Sequence, residues 1–172
     1  MAAKESNSLV IPTSEFDAPH LLGAWSCLVA KPGHVLGLSP FGDWFLQQPG
    51  GAVWRLDLLE GTFLQVAASA DGFWALLETD DGADDLLQAG TVEALMRRGL
   101  VRVSGQCYTY SVHPRLGGPF EASNMRLGDI GGWQLFCSQL HAQLDAMPSG
   151  ARISGLRVDP DGALIVEWQS GM

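Results

Sequence analysis

Residues 41–67, FGDWFLQQPGGAVWRLDLLEGTFLQVA, hold three short apolar runs separated by two compact turn signals. The first run, 43–47, stops at Pro49-Gly50-Gly51, and the second, 52–58, stops at Glu60-Gly61 before the third begins at Thr62. Both connections are hairpin-sized, so the stretch predicts a three-stranded antiparallel meander over about 43–67. In the middle run Trp54, Leu56 and Leu58 share one face while Val53, Arg55 and Asp57 share the other, the period of a strand with one buried side. A sheet of this kind needs helices to cover it.

Those helices are expected downstream. Ser69 is a good N-cap with Asp71 in the first turn, and Phe73, Leu76 and Leu77 make an apolar stripe, which predicts a helix over about 69–78. Residues 78–85, ETDDGADD, carry five carboxylates in eight positions and are expected to be exposed. A second helix is predicted over about 91–98, with Thr91 as cap, Val92, Leu95 and Met96 inward and Gly99 as stop. Residues 100–103 read as a short strand and 106–112 as another, with Tyr108, Tyr110 and Val112 alternating on one face before Pro114 and the Gly117-Gly118-Pro119 break. The strongest helix signal covers 132–147, where Trp133, Phe136, Cys137, Leu140, Leu144 and Met147 oppose Gln134, Ser138, Gln139, Ala142 and Asp145. Residues 151–158 and 163–168 flank Asp159-Pro160-Asp161-Gly162 and read as a C-terminal hairpin.

Upstream of the meander, 20–30 is too short an apolar run for periodicity to separate helix from strand, and a helix is the reading adopted. Residues 1–19 read as a tail or edge-strand arm, leaving 20–172 as a single domain. Strands and helices fall in blocks rather than in alternation, so the expected class is α+β with a mainly antiparallel sheet.

Composition narrows function. At 172 residues, 47% hydrophobic and 17% charged, the chain has an ordinary globular make-up and enough length for a core without staples. No apolar stretch approaches the roughly 18 to 20 residues of a membrane span, and the N-terminus lacks a secretory signal, so a cytoplasmic location is expected. The net charge of −9 is unevenly spread: residues 1–90 set Lys4, Lys31 and Arg55 against twelve acids, whereas the remainder balances seven Arg against seven acids. Such a chain repels nucleic acid and anionic membranes and attracts basic partners.

No constellation of chemistry stands out. Cys27, Cys107 and Cys137 are odd in number and widely spaced, which indicates neither a disulfide framework nor a zinc site. His20, His34, His113 and His141 make no metal-binding spacing, so no metal and no cofactor is expected. Cys107 and His113 lie about 20 Å apart along one strand, too far for thiolate activation. The glycine-rich pieces lack a phosphate loop's Lys and Ser/Thr, and Asp43 and Asp57, though candidate paired carboxylates, need no catalytic role. A pocket around Gln106, Tyr108, His113 and Arg115 is what an enzymatic reading would require.

Several blocks nonetheless follow one another in a recognisable order. They are Phe41-Gly42-Asp43 with Phe45-Leu46, the strand from Gly51 to Asp57, Ser69 with Phe73 and Leu77, Gly105-Gln106-Cys107-Tyr108, Leu116-Gly117-Gly118, and Asn124. Together, over about 25–150, they resemble the domain family that forms the C-terminal part of a bacterial type VI secretion immunity protein, and more distantly the SMI1/KNR4-like immunity proteins. The resemblance implies an α+β binding domain without catalytic residues that neutralises a cognate toxin by direct contact, a DNase effector in the founding case. The quoted motif residues are then structural, and the acidic run of Glu78, Asp80, Asp81, Asp84 and Asp85 is the candidate toxin-facing surface. A generic protein-interaction module and a small hydrolase with an unrecognised site are the competing readings.

Overall fold

The computed structural model describes residues 9–169. It is α+β, built on an antiparallel meander, helices and a C-terminal hairpin, but the meander has four strands: β1 (His34–Leu38), β2 (Trp44–Gln47), β3 (Val53–Asp57) and β4 (Thr62–Ala67), paired in that order. The added strand, β1, is broken by a bulge between Val35 and Gly37, which hides its alternation in the sequence. Of the expected N-terminal arm, residues 1–8 lie outside the described residues. Ile11 then bridges to Leu38 on the free edge of β1, and its backbone exchanges hydrogen bonds with Leu38 at 2.8 and 3.0 Å. The edge is thereby covered.

Both faces of the meander are buried, which corrects the one-sided reading. Trp44, Leu46, Leu56 and Leu58 enter the larger core with Trp25, Trp133 and Cys137. Phe45 and Val53 enter a second core with Phe73, Leu77, Leu86 and Leu87. That second core is supplied by α2 (Ala70–Leu77) and α3 (Asp80–Leu87), so Arg55 and Asp57 lie on a covered face rather than a solvated one. Helix α1 (Ala18–Gly23) occupies part of the apolar run at 20–30. Its residues Leu21 and Leu22 join the larger core.

The acidic run, expected only to be exposed, is helical. Thr79 accepts from the Gly82 N–H as N-cap, and Asp80 and Asp81 sit in the first turn, where a helix favours negative charge. Ala83, Leu86 and Leu87 point inward while the carboxylates stay exposed. Helix α4 (Ala89–Arg97) follows with a single residue, Gln88, between the two. Residues 100–103 form no strand. The hydroxyl of Tyr108 takes the Leu100 carbonyl, the side chain of Gln106 takes the Val103 N–H, and Arg102 turns to Glu15.

Strand β5 (Gln106–Tyr110) pairs antiparallel with β6 (Met125–Asp129), a strand that the polar sequence MRLGD conceals. Asp129 caps α5 (Ile130–Asp145), accepting from the Gly132 N–H. The hairpin of β7 (Arg152–Val158) and β8 (Leu164–Gln169) docks on the far side of α5 through Leu164 and Val166. The glutamines of α5 therefore do not face water. Gln143 accepts from the Val166 N–H at 2.7 Å, Gln139 accepts from the Leu164 N–H, and Gln134 and Ser138 are buried. No helix among the described residues is long and apolar enough to cross a membrane.

Candidate functional site

The loop between β1 and β2 is held from two sides, by α5 and by β5. Trp133 of α5 donates to the Phe41 carbonyl at 3.1 Å, and Gln134 donates to the Gly42 carbonyl at 2.6 Å. The Gln134 oxygen also accepts both buried indoles, from Trp25 at 2.9 Å and Trp44 at 2.8 Å. This amide is fully buried, and every contact it makes is needed to satisfy a neighbour. From the β5 side, the Tyr108 N–H donates to the Pro40 carbonyl at 2.8 Å. Gly42 itself has φ of +94°, and a Cβ there would meet Leu58, Gln134 and Trp133 at 3.2 to 3.3 Å, so both backbone and space demand glycine.

This clamp fixes Asp43. One carboxylate oxygen accepts from the Leu58 N–H at 2.9 Å and the other from the Ser39 hydroxyl at 3.1 Å. Burial, reinforced by the negative charge of Asp57, pushes the Asp43 carboxyl up to about 6. Asp57, at the end of β3, accepts from the Leu59 and Glu60 N–H groups at 2.9 Å each and pairs with Arg55 through its second oxygen. Arg55 also donates to the Asp85 carbonyl at 3.2 Å, tying β3 to α3.

Around these groups opens a cleft of about 320 Å³. Its inner wall is Phe41, Leu58 and Trp133, its polar groups are Asp43, Arg55, Asp57, Glu60 and Asp85, and Tyr110 and Phe120 close one side. Gln88, which also lines it, has a positive φ of 51°, alone among the described non-glycine residues. Among the described residues the cleft is bordered by the acidic helix on one side and by the β5–β6 segment on the other.

The residues singled out in the sequence divide between this cleft and its supports. Phe41, Asp43 and Asp57 line the cleft, and of the acidic run Asp85 reaches it. Glu78, Asp80, Asp81 and Asp84 are exposed beyond it, with Asp84 accepting from the Gly90 N–H at 3.0 Å. Gly105 donates to Glu15 and accepts from the Ile130 N–H, and Cys107 is buried. Burial pushes the Cys107 thiol up to about 12, which removes it as a nucleophile. Leu116 ends a short 3-10 turn, Pro114–Leu116, which closes on Gly117 at φ +88°.

Gln106, Tyr108, His113 and Arg115 do not converge. Tyr108 is bonded to Leu100, Arg115 reaches the Glu60 carbonyl at 3.3 Å, and His113 is buried beside Trp133, Phe136 and His141. The ring of His113 accepts from the Arg115 N–H through Nδ1, and its buried Nε2 has no partner among the described residues. Burial and the neighbouring His141 hold it down to about 4. The sequence did not mark Tyr110, Phe120 and Trp133 as lining groups, nor Leu59 and Gln88 beside them. Phe120 carried a signal, a lone aromatic directly after Gly117-Gly118-Pro119, where a turn leaves it no core to join.

Comparison with known proteins places part of this architecture. Residues 67–141, from the last residue of β4 into α5, match the family described as T6SS immunity protein Tdi1, C-terminal. The resemblance to type VI secretion immunity proteins holds over that stretch, and it supports an immunity role. The fold is similar to that in the crystal structure of Atu4351 from Agrobacterium tumefaciens, with a TM-score of 0.55 and 17% identity, over 87% of this chain and 72% of that one. No curated protein matches the chain.

Proposed function

We propose that residues 20–172 act as one cytoplasmic binding domain that neutralises a cognate secreted toxin by direct contact and performs no chemistry of its own. The observation that carries this reading is the family match over 67–141, which contains α3 and both sides of the cleft except the meander. The toxin-facing surface is the exposed acidic face of α3, with Asp80, Asp81, Asp84 and Asp85, together with Glu78 at the end of α2, continued into the cleft. A nuclease is the toxin class that suits it, because a groove built to hold a phosphate backbone is basic and an acidic helix occupies such a groove favourably.

Co-expression provides the test. An immunity gene should sit beside its toxin gene, and the toxin domain so encoded, induced in a bacterial host, should arrest growth alone and permit it when the chain is present. The two proteins should also co-purify from the rescued cells. Growth arrest that persists at matched expression, with no co-purification, would overturn the immunity reading and leave a generic interaction module in its place.

A further inference from the structure

We propose that the cleft between the end of β3, α3 and Tyr110 is a receptor for one guanidinium side chain presented by a protein partner. The proposal takes only the identity of the partner from the immunity reading; the side-chain chemistry comes from the cleft.

Charge is the first argument. Asp43, Asp57, Glu60 and Asp85 line the cleft against Arg55 alone, and Arg115 reaches Glu60 from outside it. A phosphate or carboxylate ligand is therefore repelled and a cation attracted. The carboxylates of Asp43 and Asp57 are held by the backbone amides of 58–60, so they are fixed before any ligand arrives, and a carboxylate oxygen with one bond still has a free lone pair. Arg55 is in direct contact with Asp57 and acts on Asp43 only from a distance, so among the described residues Asp43 has no cation in ion-pair contact.

Tyr110 supplies an independent observation. It is 5% exposed and lines the cleft, yet its hydroxyl makes no hydrogen bond among the described residues and is not shut away from solvent. Tyr110 shares the lining of the cleft with Asp43 and Asp57, and burial, with their negative charges adding to it, pushes its phenol up to about 12. A phenol oxygen that the protein leaves unclaimed and open to the cleft is free to take a polar group of a ligand in place of water.

The aromatic rim selects the cation. Phe120 is 64% exposed and packs edge-on against Tyr110, with ring centroids 6.4 Å apart. Its free face can stack on a flat cation, and Trp133 lies behind. A guanidinium is planar, carries five donors in a fork and stacks on aromatic faces, whereas an ammonium is compact and strongly hydrated. A volume of about 320 Å³ lies at the low end of small-molecule sites, suited to one side chain within a larger contact. The exposed acids of α3 beside it form the polar surround expected of an anchor pocket at a protein interface.

Titration of the full chain with N-acetyl-arginine amide at low salt, followed by amide NMR, tests the proposal without any toxin. Saturable shifts are expected at Leu58, Leu59 and Glu60. The citrulline counterpart, which keeps the shape and loses the charge, should bind at least about tenfold more weakly, in keeping with lost charge-assisted bonds. Phe120→Ala on an exposed ring should leave the spectrum dispersed and weaken arginine binding about threefold to fivefold. Tyr110→Phe should weaken it as well. Absence of saturable shifts, equal binding of citrulline, or equal binding of the lysine counterpart each overturns the guanidinium assignment. Arginine binding together with failure of the neighbouring toxin to co-purify keeps the receptor and removes the immunity reading. A toxin that co-purifies with Phe120→Ala at unchanged affinity removes the receptor and keeps the immunity reading.

Discussion

Asp43 and His113 show what burial does to single ionisable groups, and the two act in opposite senses over the same pH range. Asp43 is raised to about 6 by burial and by Asp57, so the folded state holds its proton where the unfolded chain has lost it. Ionising it costs stability, which falls as pH rises from about 4 to 6. His113 is held down to about 4 by burial and by His141, with Arg115 adding to the effect. Here the unfolded state binds the proton first, so stability is fully present above about 6.5 and is lost as pH falls towards 4. Each group contributes a slope of at most about 1.4 kcal/mol per pH unit, and between pH 4 and 6 the two cancel. Asp43→Asn retains an oxygen for the Leu58 N–H and removes the falling limb, so its stability relative to the parent should climb with pH over that range. His113→Asn retains an acceptor for the Arg115 N–H, and its relative stability should decline with pH. Urea titrations at half-unit intervals check both, and profiles parallel to the parent's would show that neither shift exists. Gln134 adds a lesson at this scale. Its place opposite the apolar stripe of α5 reads as solvent-facing, and only the convergence of Trp25, Trp44 and Gly42, far away in sequence, turns it into a buried hub.

Elements were legible where turn chemistry and periodicity agreed. Strands β2 to β4 are set off by Pro49-Gly50-Gly51 and Glu60-Gly61, and α5 keeps its apolar spacing for its whole length. They were illegible where a second influence prevailed. A bulge hides β1, and a polar sequence hides β6 because only its pairing with β5 makes it a strand. Helix α3 reads as a solvated loop by composition, and becomes a helix through the Thr79 cap and the burial of Leu86 and Leu87. The Leu116-Gly117-Gly118 motif belongs to this scale as well, because it works jointly with Asn124. The Asn124 side chain accepts from the Val112 N–H at 2.9 Å and donates to the Val112 and Pro119 carbonyls at 2.8 Å each, closing the loop at both ends. A Cβ on Gly118 would lie 1.9 Å from the Val112 carbonyl oxygen, whereas one on Gly117 meets nothing within 4 Å and suffers only from φ of +88°. Gly117→Ala should therefore cost about 1 kcal/mol, and Gly118→Ala about 3 kcal/mol or more, in chemical denaturation. Equal and small costs would show that the backbone clamp is not tight. Unchanged stability with lost toxin binding would make the turn part of the contact surface.

For the molecule as a whole, charge separation decides how a partner approaches. All of the excess negative charge belongs to the first ninety residues, and folding gathers part of it on the exposed side of α3, next to the carboxylates of the cleft. The two parts have different energetics. Exposed acids on a rim alter the rate and salt dependence of association, whereas truncating one partner of a buried charged contact costs roughly 2 to 5 kcal/mol and shows in dissociation. Asp80, Asp81, Asp84 and Asp85 changed together to Asn should therefore slow association with the cognate toxin, and should flatten its dependence on ionic strength. Dissociation should change less. Some loss of stability accompanies the change, because Asp80 and Asp81 occupy the first turn of α3, where each charge contributes roughly 0.3 to 1 kcal/mol. Asn at position 84 can still accept from the Gly90 N–H, so the entry into α4 survives. Thermal melting of the same sample separates this loss from an effect on binding. Stopped-flow association at two salt concentrations then reads the electrostatic part directly. A quadruple variant that remains folded and associates at the parent rate at low ionic strength would show that the acidic helix serves solubility alone, and that any toxin contact lies elsewhere on the surface.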